Sequence, residues 1–364
     1  MTEYENLDYL KTKAFCEVIF TSYGFTAADA DGISDILLRA DLYGIESHGI
    51  QRLIRYHNAK KNGEFDVCAR LEIVHETMIS ATIAANKTMG QVVSRYAMEL
   101  AIKKAKQIGI GMVAVRDSTH YGIAGYYAKM AADADLIGVC MTNTEAIMVP
   151  TFAKKGMLGT NPISVAMPAD PTPFLFDSST TVVTRGKLEV YSKREKTLPD
   201  GWALDASGHN SSDVSDVLKN IIGKLGGGIA PLGGAGEETA GYKGYGFGLV
   251  CELFTSIMAG GLTSPYCATE KTHRISHCFW AIDYGVFGDK AAIKKEFSIL
   301  LQELRDTSKA NGQNRVYIHG EKELESYTKK LREGISINER TFDEIKQIAV
   351  ESNIDYRQYI GDSF

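Results

Sequence analysis

The chain has 364 residues, 44% of them hydrophobic and 23% charged, an ordinary globular balance with enough length for roughly two or three domains and a large core. Its formal net charge of −5 excludes the basic footprint of a nucleic-acid binder. No apolar run approaches the ~18–20 residues that a bilayer span needs, and MTEYENLDYLKTK has no basic segment leading into an apolar one, so neither a membrane helix nor a secretory leader is expected.

The first ~75 residues read as mainly helical, because Leu7–Gly24 and Thr26–Leu42 carry apolar residues three and four apart. Thr26 suits an N-cap and Gly44 a helix-ending residue with positive φ. From Glu72 the texture changes. Ser94–Gly109 predicts an amphipathic helix stopped by Gly109, and Ile110–Val115 a buried strand. After a polar turn, Ala124–Ala134 predicts a small-residue helix and Ile137–Met141 another buried strand, together a candidate parallel crossover. Short strands are expected at Ile163–Met167, Phe174–Phe176 and Thr181–Val183. The glycine-rich Gly226–Gly236 reads as a mobile or ligand-facing loop, Tyr245–Ala259 as a helix and Cys278–Asp283 as a strand. Glu323–Arg332 and Thr341–Asn353 are charged helices that could pack on those at the other end. The six cysteines form no CxxC pair, so they are expected as buried free thiols in a reducing cytosol.

ADLYGIESHGIQRLIRY, residues 40–56, interrupts a helical period with two glycines and a polar Glu46-Ser47-His48. Ser47 suits an N-cap, which puts His48 in a first helical turn and His48, Arg52 and Tyr56 on one stripe at i, i+4 and i+8. A helix start disfavours a cationic imidazole, so His48 would be neutral and ready to exchange a proton. Arg52 could hold a carboxylate through paired hydrogen bonds. Such a site suits a 2-oxo or 2-hydroxy acid. The pattern also fits a capping serine, a satisfied polar histidine and a surface arginine. A serine nucleophile at Ser47 served by His48 is not expected, since adjacent helical residues point apart.

His120, in DSTHYGIAGYYA, lies in a strand-to-helix turn, where open α/β sheets place ligand groups, and equally fits a plain turn histidine. Gly159-Thr160-Asn161-Pro162 reads as a tight turn, and Asp177-Ser178-Ser179-Thr180-Thr181 ends a strand with a carboxylate and several hydroxyls. Lys243, in GYKGYG before an apolar helix, could meet a phosphate. Gly234-Ala-Gly236 lacks the third glycine of a GxGxxG motif, so a Rossmann domain is not supported, and no metal is expected without HExxH or paired CxxC.

DLYGIESHGIQRL resembles the Ser-His-Gly-x-x-Arg signature of the malate/L-lactate dehydrogenase family that is unrelated to the Rossmann-type enzymes and includes ureidoglycolate, sulfolactate, diketogulonate and cyclic-imine oxidoreductases. STHYGIAGYYA, LGTNPISVAMP, FDSSTTVVTRGK, PDGWALDASG, GYKGYGFGLVCELF and SHCFWAID resemble its further motifs, in the family's order, over residues ~36–335. The resemblance implies an α+β fold: a non-Rossmann, mixed-sheet NAD(P)-binding domain over 76–324 (with room for a smaller inserted subdomain) and a helical layer from both termini, 1–75 with 325–364. It implies a homodimer with its site near the subunit interface, and the cysteine usage a cytoplasmic location. Ser47, His48, Arg52 and His120 would be substrate-site residues, either histidine serving as proton donor. Asn143, Thr144, Gly159 to Pro162, Asp177 to Thr181, Lys243, Gly320 and Glu321 would border the coenzyme. Ser178, Ser179, Thr184 and His319 depart from the family pattern.

The expected reaction is hydride transfer between nicotinamide and a small acid, oxaloacetate/malate first, with lactate, ureidoglycolate, sulfolactate or a cyclic imine as alternatives. NAD is favoured, although the basic run Lys193–Lys196 could meet the 2′-phosphate of NADP. Arg116, Arg185 and Lys187 are candidates for the second carboxylate of malate. The non-enzyme alternative is a module that binds a small acid. Neither nucleic acid nor a membrane is expected as a partner.

Overall fold

The computed structural model describes residues 4–269 and 272–361. The terminal residues 1–3 and 362–364 of the expected helical segments, and Met1 to Glu3 of the leader reading, lie outside them. Chain entry is a short strand, β1 (Tyr4–Leu7), followed by helices α1 (Tyr9–Ser22) and α2 (Ala27–Leu42). The Thr26 hydroxyl caps α2 by accepting from the Asp29 N–H at 3.1 Å, as expected for this residue type. Gly44 follows with φ +79°.

The next segment differs from the expected continuous helix. Glu46–His48 and Ile50–Arg52 form separate 3₁₀ turns, and only α3 (Leu53–Lys61) is α-helical. Gly49 between the turns is extended, at φ −85° and ψ −152°, and Ser47 caps no helix.

The central body is a mixed sheet. In chain order its first elements are β2 (Glu72–Glu76), β3 (Ser80–Ala84), α4 (Gly90–Ile108), β4 (Ile110–Ser118), α5 (Ala124–Asp133), β5 (Ile137–Thr142), β6 (Ile163–Met167) and β7 (Phe174–Ser178). Gly109 ends α4 with φ +93°. A peripheral lobe follows: α6 (Arg185–Lys193), β8 (Ala203–Leu204), α7 (Val214–Gly223) and β9 (Gly228–Ile229), around Leu188, Val217 and Ile229. Then come α8 (Gly241–Glu252), a π-helical turn over Leu253–Ile257, α9 (Ser264–Cys267), and the short strands β10 (Ala268–Thr269) and β11 (Thr272–His273). The long β12 (Ile275–Ile282) re-enters the sheet. The chain ends with α10 (Lys290–Asp306), α11 (Glu321–Glu333), β13 (Ile335–Asn338), α12 (Glu339–Glu351) and α13 (Arg357–Ile360).

The seven strands are ordered β2-β3-β4-β12-β5-β6-β7. Only β3 and β4 are parallel neighbours, joined by α4. β4 and β5 run parallel through α5, but they are not adjacent: β12 lies between them, antiparallel to both. Thr181–Val183, expected as a strand, holds only an isolated bridge from Thr181 to Pro231, and the Gly226–Gly236 loop contributes β9. The order and mixed sense are not those of a Rossmann domain.

α4 and α5 cover one sheet face through Ala97, Ala101, Ala105, Ala128 and Ala131, all buried. Small residues permit direct contact: a Cβ on Gly111 or Gly138 would lie 2.0 Å from the Ala101 carbonyl oxygen or 2.1 Å from that of Ala128. The other face is covered by α8 and the π turn, where Cys251, Phe254, Met141, Cys278 and Trp280 pack. The termini make one further layer. β1 pairs with β13, and Phe15, Ile19, Leu37, Leu53, Phe342 and Ile348 share one core. This layer places α3 beside the turn after β4, where Tyr56 reaches His120.

Candidate active site

The two 3₁₀ turns fold Ser47, His48 and Arg52 towards the turn that follows β4. The Ser47 hydroxyl lies 2.9 Å from His48 Nδ1. This corrects the expectation that the adjacent pair would point apart, which holds for an α-helix and not for this turn. Arg52 donates from Nε to the Ser47 carbonyl, and its Nη groups have no carboxylate partner among the described residues. Tyr56, one turn into α3, places its hydroxyl 2.9 Å from His120 Nδ1. The rings of His48 and His120 stack with centroids 5.7 Å apart and planes at 25°.

His120 Nδ1 also accepts from the Gly122 N–H at 3.4 Å. A neutral imidazole has one acceptor nitrogen, so this contact assigns the proton to Nε2. Neither histidine's Nε2 has a protein partner among the described residues, and both rings are half-buried. Burial, then the nearby Arg52 and Arg55 charges, lower the His48 pKa from 6.5 to about 4. Burial and Arg55, followed by the neighbouring imidazole of His48, push His120 well below its ordinary range. Both rings are therefore neutral at pH 7. Burial, followed by Arg55, also lowers Arg52.

A buried carboxyl sets this geometry. Asp41, fully buried on α2, accepts from the Ile50 N–H at 2.6 Å. A Cβ on Gly49 would sit 1.9 Å from its Oδ1, so only glycine fits at the junction of the two turns. Burial raises Asp41 from 3.8 to about 7. Asp41 was not among the residues anticipated from sequence. The available signal was a carboxylate in an otherwise apolar helix end, nine positions before the backbone it binds.

The expected coenzyme-border residues fall into connected groups. Asn143 and Asn161 are buried and bonded internally: Asn143 to Ser276, Leu262 and Glu252, and Asn161 to the Gly248 carbonyl, Glu252 and the Thr144 N–H. Thr144 and Thr160 hydroxyls lie 3.2 Å apart, Thr160 also accepts both the N–H and the hydroxyl of Thr180 on its carbonyl, and Gly159 donates to Ser264. Pro162 is half-buried beside them. The organiser is Glu252, buried and bonded to Asn143, Asn161, Ser256 and Ser264, which sequence reasoning missed. A lone carboxylate in the apolar stretch GLVCELF was its signal.

Asp177, exposed near the end of β7, accepts from the Gly125 N–H at 2.6 Å in the first turn of α5, just after the His120 turn. Ser178, Ser179 and Thr181 hydroxyls donate to nearby carbonyls. Gly186, at the start of α6, approaches the histidine group: a Cβ there would lie 3.2 Å from Ser47 Cβ and 3.5 Å from an Arg52 Nη. Lys243 is exposed in the first turn of α8, not ahead of the helix as the spacing suggested. Gly320 and Glu321 sit apart from the histidines, beside β7. Glu321 is engaged by Arg305, Arg315 and the Ile318 N–H. The side chain of Lys193, in the basic run, lies outside the described residues, while Arg194, Glu195 and Lys196 are exposed.

Comparison with known proteins decides the family. Residues 7–346 match the model of the malate/L-lactate dehydrogenase family. The chain belongs to that family. Among its relatives, malate dehydrogenase of Pyrococcus abyssi is 40% identical over 338 residues, 92% of each chain. L-sulfolactate dehydrogenase of Methanocaldococcus jannaschii is 34% identical over 94% of this chain and 96% of that one. Among solved structures, malate dehydrogenase from Entamoeba histolytica superposes with a TM-score of 0.93 at 32% identity, covering 97% of this chain and 99% of the other. The chain is thus a dehydrogenase of the 2-hydroxyacid type, and the reading as a mere binding module falls.

Proposed function

We propose that this dehydrogenase transfers hydride between NADH and oxaloacetate, forming malate, at the cluster of Ser47, His48, Arg52, Tyr56 and His120. The observation that carries the reading is the pair of neutral imidazoles, each anchored through Nδ1 with Nε2 unpartnered, beside an arginine with free Nη groups. In this reading Arg52 grips the C1 carboxylate by two parallel hydrogen bonds. Both Nε2 atoms address the C2 oxygen. Burial depresses His120 most and the Arg55 charge next; the bound substrate anion favours the charged ring, which takes up a second proton at Nδ1. Tyr56 Oη, which can give or accept, then accepts from that Nδ1–H. As charge builds on the C2 oxygen, His120 passes its Nε2 proton to it and returns to neutral, while His48 holds the same oxygen.

The bound nicotinamide coenzyme supplies the hydride. The residues fit such a group by bringing glycine backbone close to the imidazoles: a Cβ at Gly122, Gly125 or Gly186 would lie 2.7 Å from Ile36, 2.9 Å from Asp177 or 3.2 Å from Ser47. We assign Asn143, Asn161 and Glu321, whose polar atoms are spent internally, to shaping the walls. Thr144, Thr160 and Asp177 to Thr181, also bonded within the chain, would line the coenzyme site, and the exposed Lys243 remains for direct contact. NAD is preferred over NADP.

A homodimer is part of the proposal. Phe247, Leu253 and Ile257 are 50%, 49% and 57% exposed along α8 and the π turn, an apolar face directly behind the Glu252 network. A cytoplasmic location is supported by six unpaired cysteines. No helix among the described residues is long and apolar enough to cross a membrane. The test is a panel of 2-oxo acids with NADH and NADPH, followed at the nicotinamide absorbance band. Oxaloacetate with NADH is expected to give the highest kcat/KM. Faster turnover of another acid, or of NADPH, would replace the substrate or coenzyme named here.

A further inference from the structure

Oxaloacetate carries a second carboxylate, and the candidates named from sequence are otherwise engaged. Arg185 pairs with Glu189 at 3.1 Å and Glu145 at 3.5 Å. Arg116 faces Asp117 at 3.8 Å and donates to the Ala259 carbonyl at 3.3 Å. Lys187 lies over the Tyr191 ring, 5.6 Å from its centroid.

Arg55 is different. Arg52 stands at the N-cap position of α3 and Arg55 follows it by three residues, so the two guanidinium groups occupy neighbouring positions on one side of the helix start, while Tyr56 turns inward. Arg52 reaches the Ser47 carbonyl and Tyr56 reaches His120. Arg55 is exposed, and no carboxylate pairs with it among the described residues. Its charge acts on His48, Arg52, Tyr56 and His120 together.

We propose that Arg55 is the specificity-determining residue of this site, receiving the second anionic group of a dianionic 2-oxo acid while Arg52 holds the first. The group is a carboxylate, or a sulfonate at the same chain length. The assignment rests on the substrate reading above. An exposed guanidinium can meet a substrate carboxylate without the burial cost of a permanent ion pair.

The experiment compares kcat and KM for oxaloacetate and pyruvate, with NADH, in the wild type, Arg55→Gln and Arg55→Lys. Arg55→Gln is expected to lower kcat/KM for oxaloacetate about 10- to 100-fold, mostly through KM, the loss of one charge-assisted contact. Pyruvate, which lacks the second anion, should keep its KM within about threefold, while any change in kcat from the altered field on the histidines is shared by both acids, so the preference for oxaloacetate over pyruvate falls. Arg55→Lys should recover part of the loss. If both acids fall by the same factor, or neither moves while the wild type is active, Arg55 has no such role. If the wild type reduces no 2-oxo acid, the substrate reading fails and takes this assignment with it.

Discussion

Tyr56→Phe removes one oxygen atom from the site and leaves its packing intact. The lost contact is the 2.9 Å hydrogen bond to His120 Nδ1, with only the longer 3.4 Å contact from the Gly122 N–H remaining. In the resting state the imidazole is neutral, and such a bond contributes about 0.5–1.5 kcal/mol. When the ring is protonated the bond is to a charged group, worth about 1.5–3 kcal/mol. The difference, about 1.5 kcal/mol, is what the hydroxyl gives to the acid form, and it corresponds to roughly tenfold in rate and about one pKa unit. Removing a group that stabilises the charged form lowers the pKa of His120 in the complex. In the proposed mechanism reduction requires the protonated ring, so activity falls as pH rises through that pKa. The alkaline limb of the kcat profile should therefore move about one unit towards lower pH in Tyr56→Phe, with kcat about tenfold down at neutral pH. The assay is oxaloacetate-dependent NADH oxidation across pH. An unmoved alkaline limb, with kcat within twofold of wild type, would refute the coupling of Tyr56 to the proton donor.

Other consequences are equally direct. Arg52→Lys keeps the charge and loses the two-pronged grip, so KM for oxaloacetate should rise about tenfold with a smaller change in kcat; an unchanged KM contradicts the role given to Arg52. Asp41 has a folded pKa raised from 3.8 to about 7, so its contribution to stability is fully present below about pH 4 and is lost as pH rises to about 7. Asp41→Asn keeps an acceptor for Ile50 and removes that titration. The melting temperature of the variant relative to wild type should climb between pH 4 and 7 and then level, and a flat difference contradicts the burial argument. Phe247→Glu places a charge on the exposed apolar face, and light scattering should then report a monomer where the wild type is a dimer; an unaltered mass places the interface elsewhere.

Much of this arrangement was legible from residues three and four apart. The α2 cap at Thr26, the α4 stop at Gly109 and the strand Ile163–Met167 all follow from local chemistry, and the structure matches them. What local patterns could not carry is long-range. The insertion of β12 between β4 and β5 is a pairing across more than a hundred residues. The stripe of His48, Arg52 and Tyr56 was drawn on a continuous helix, whereas Gly49 breaks it and Asp41 holds the break open. The side chains still converge, because His120 comes from another part of the chain to meet them. Glu252 escaped notice for the same reason: its partners lie at Asn143, Asn161 and Ser264.

On the proposed reading, the imidazoles of His48 and His120 manage the proton for a reduction at C2 of a 2-oxo acid. The most direct measurement is single-turnover NADH oxidation by oxaloacetate in wild type, His48→Asn and His120→Asn, with coenzyme binding checked by nicotinamide fluorescence. His120→Asn should slow the chemical step by about 10²–10⁴-fold with NADH still bound, and His48→Asn should slow it less. Wild-type rates in both variants would contradict the account.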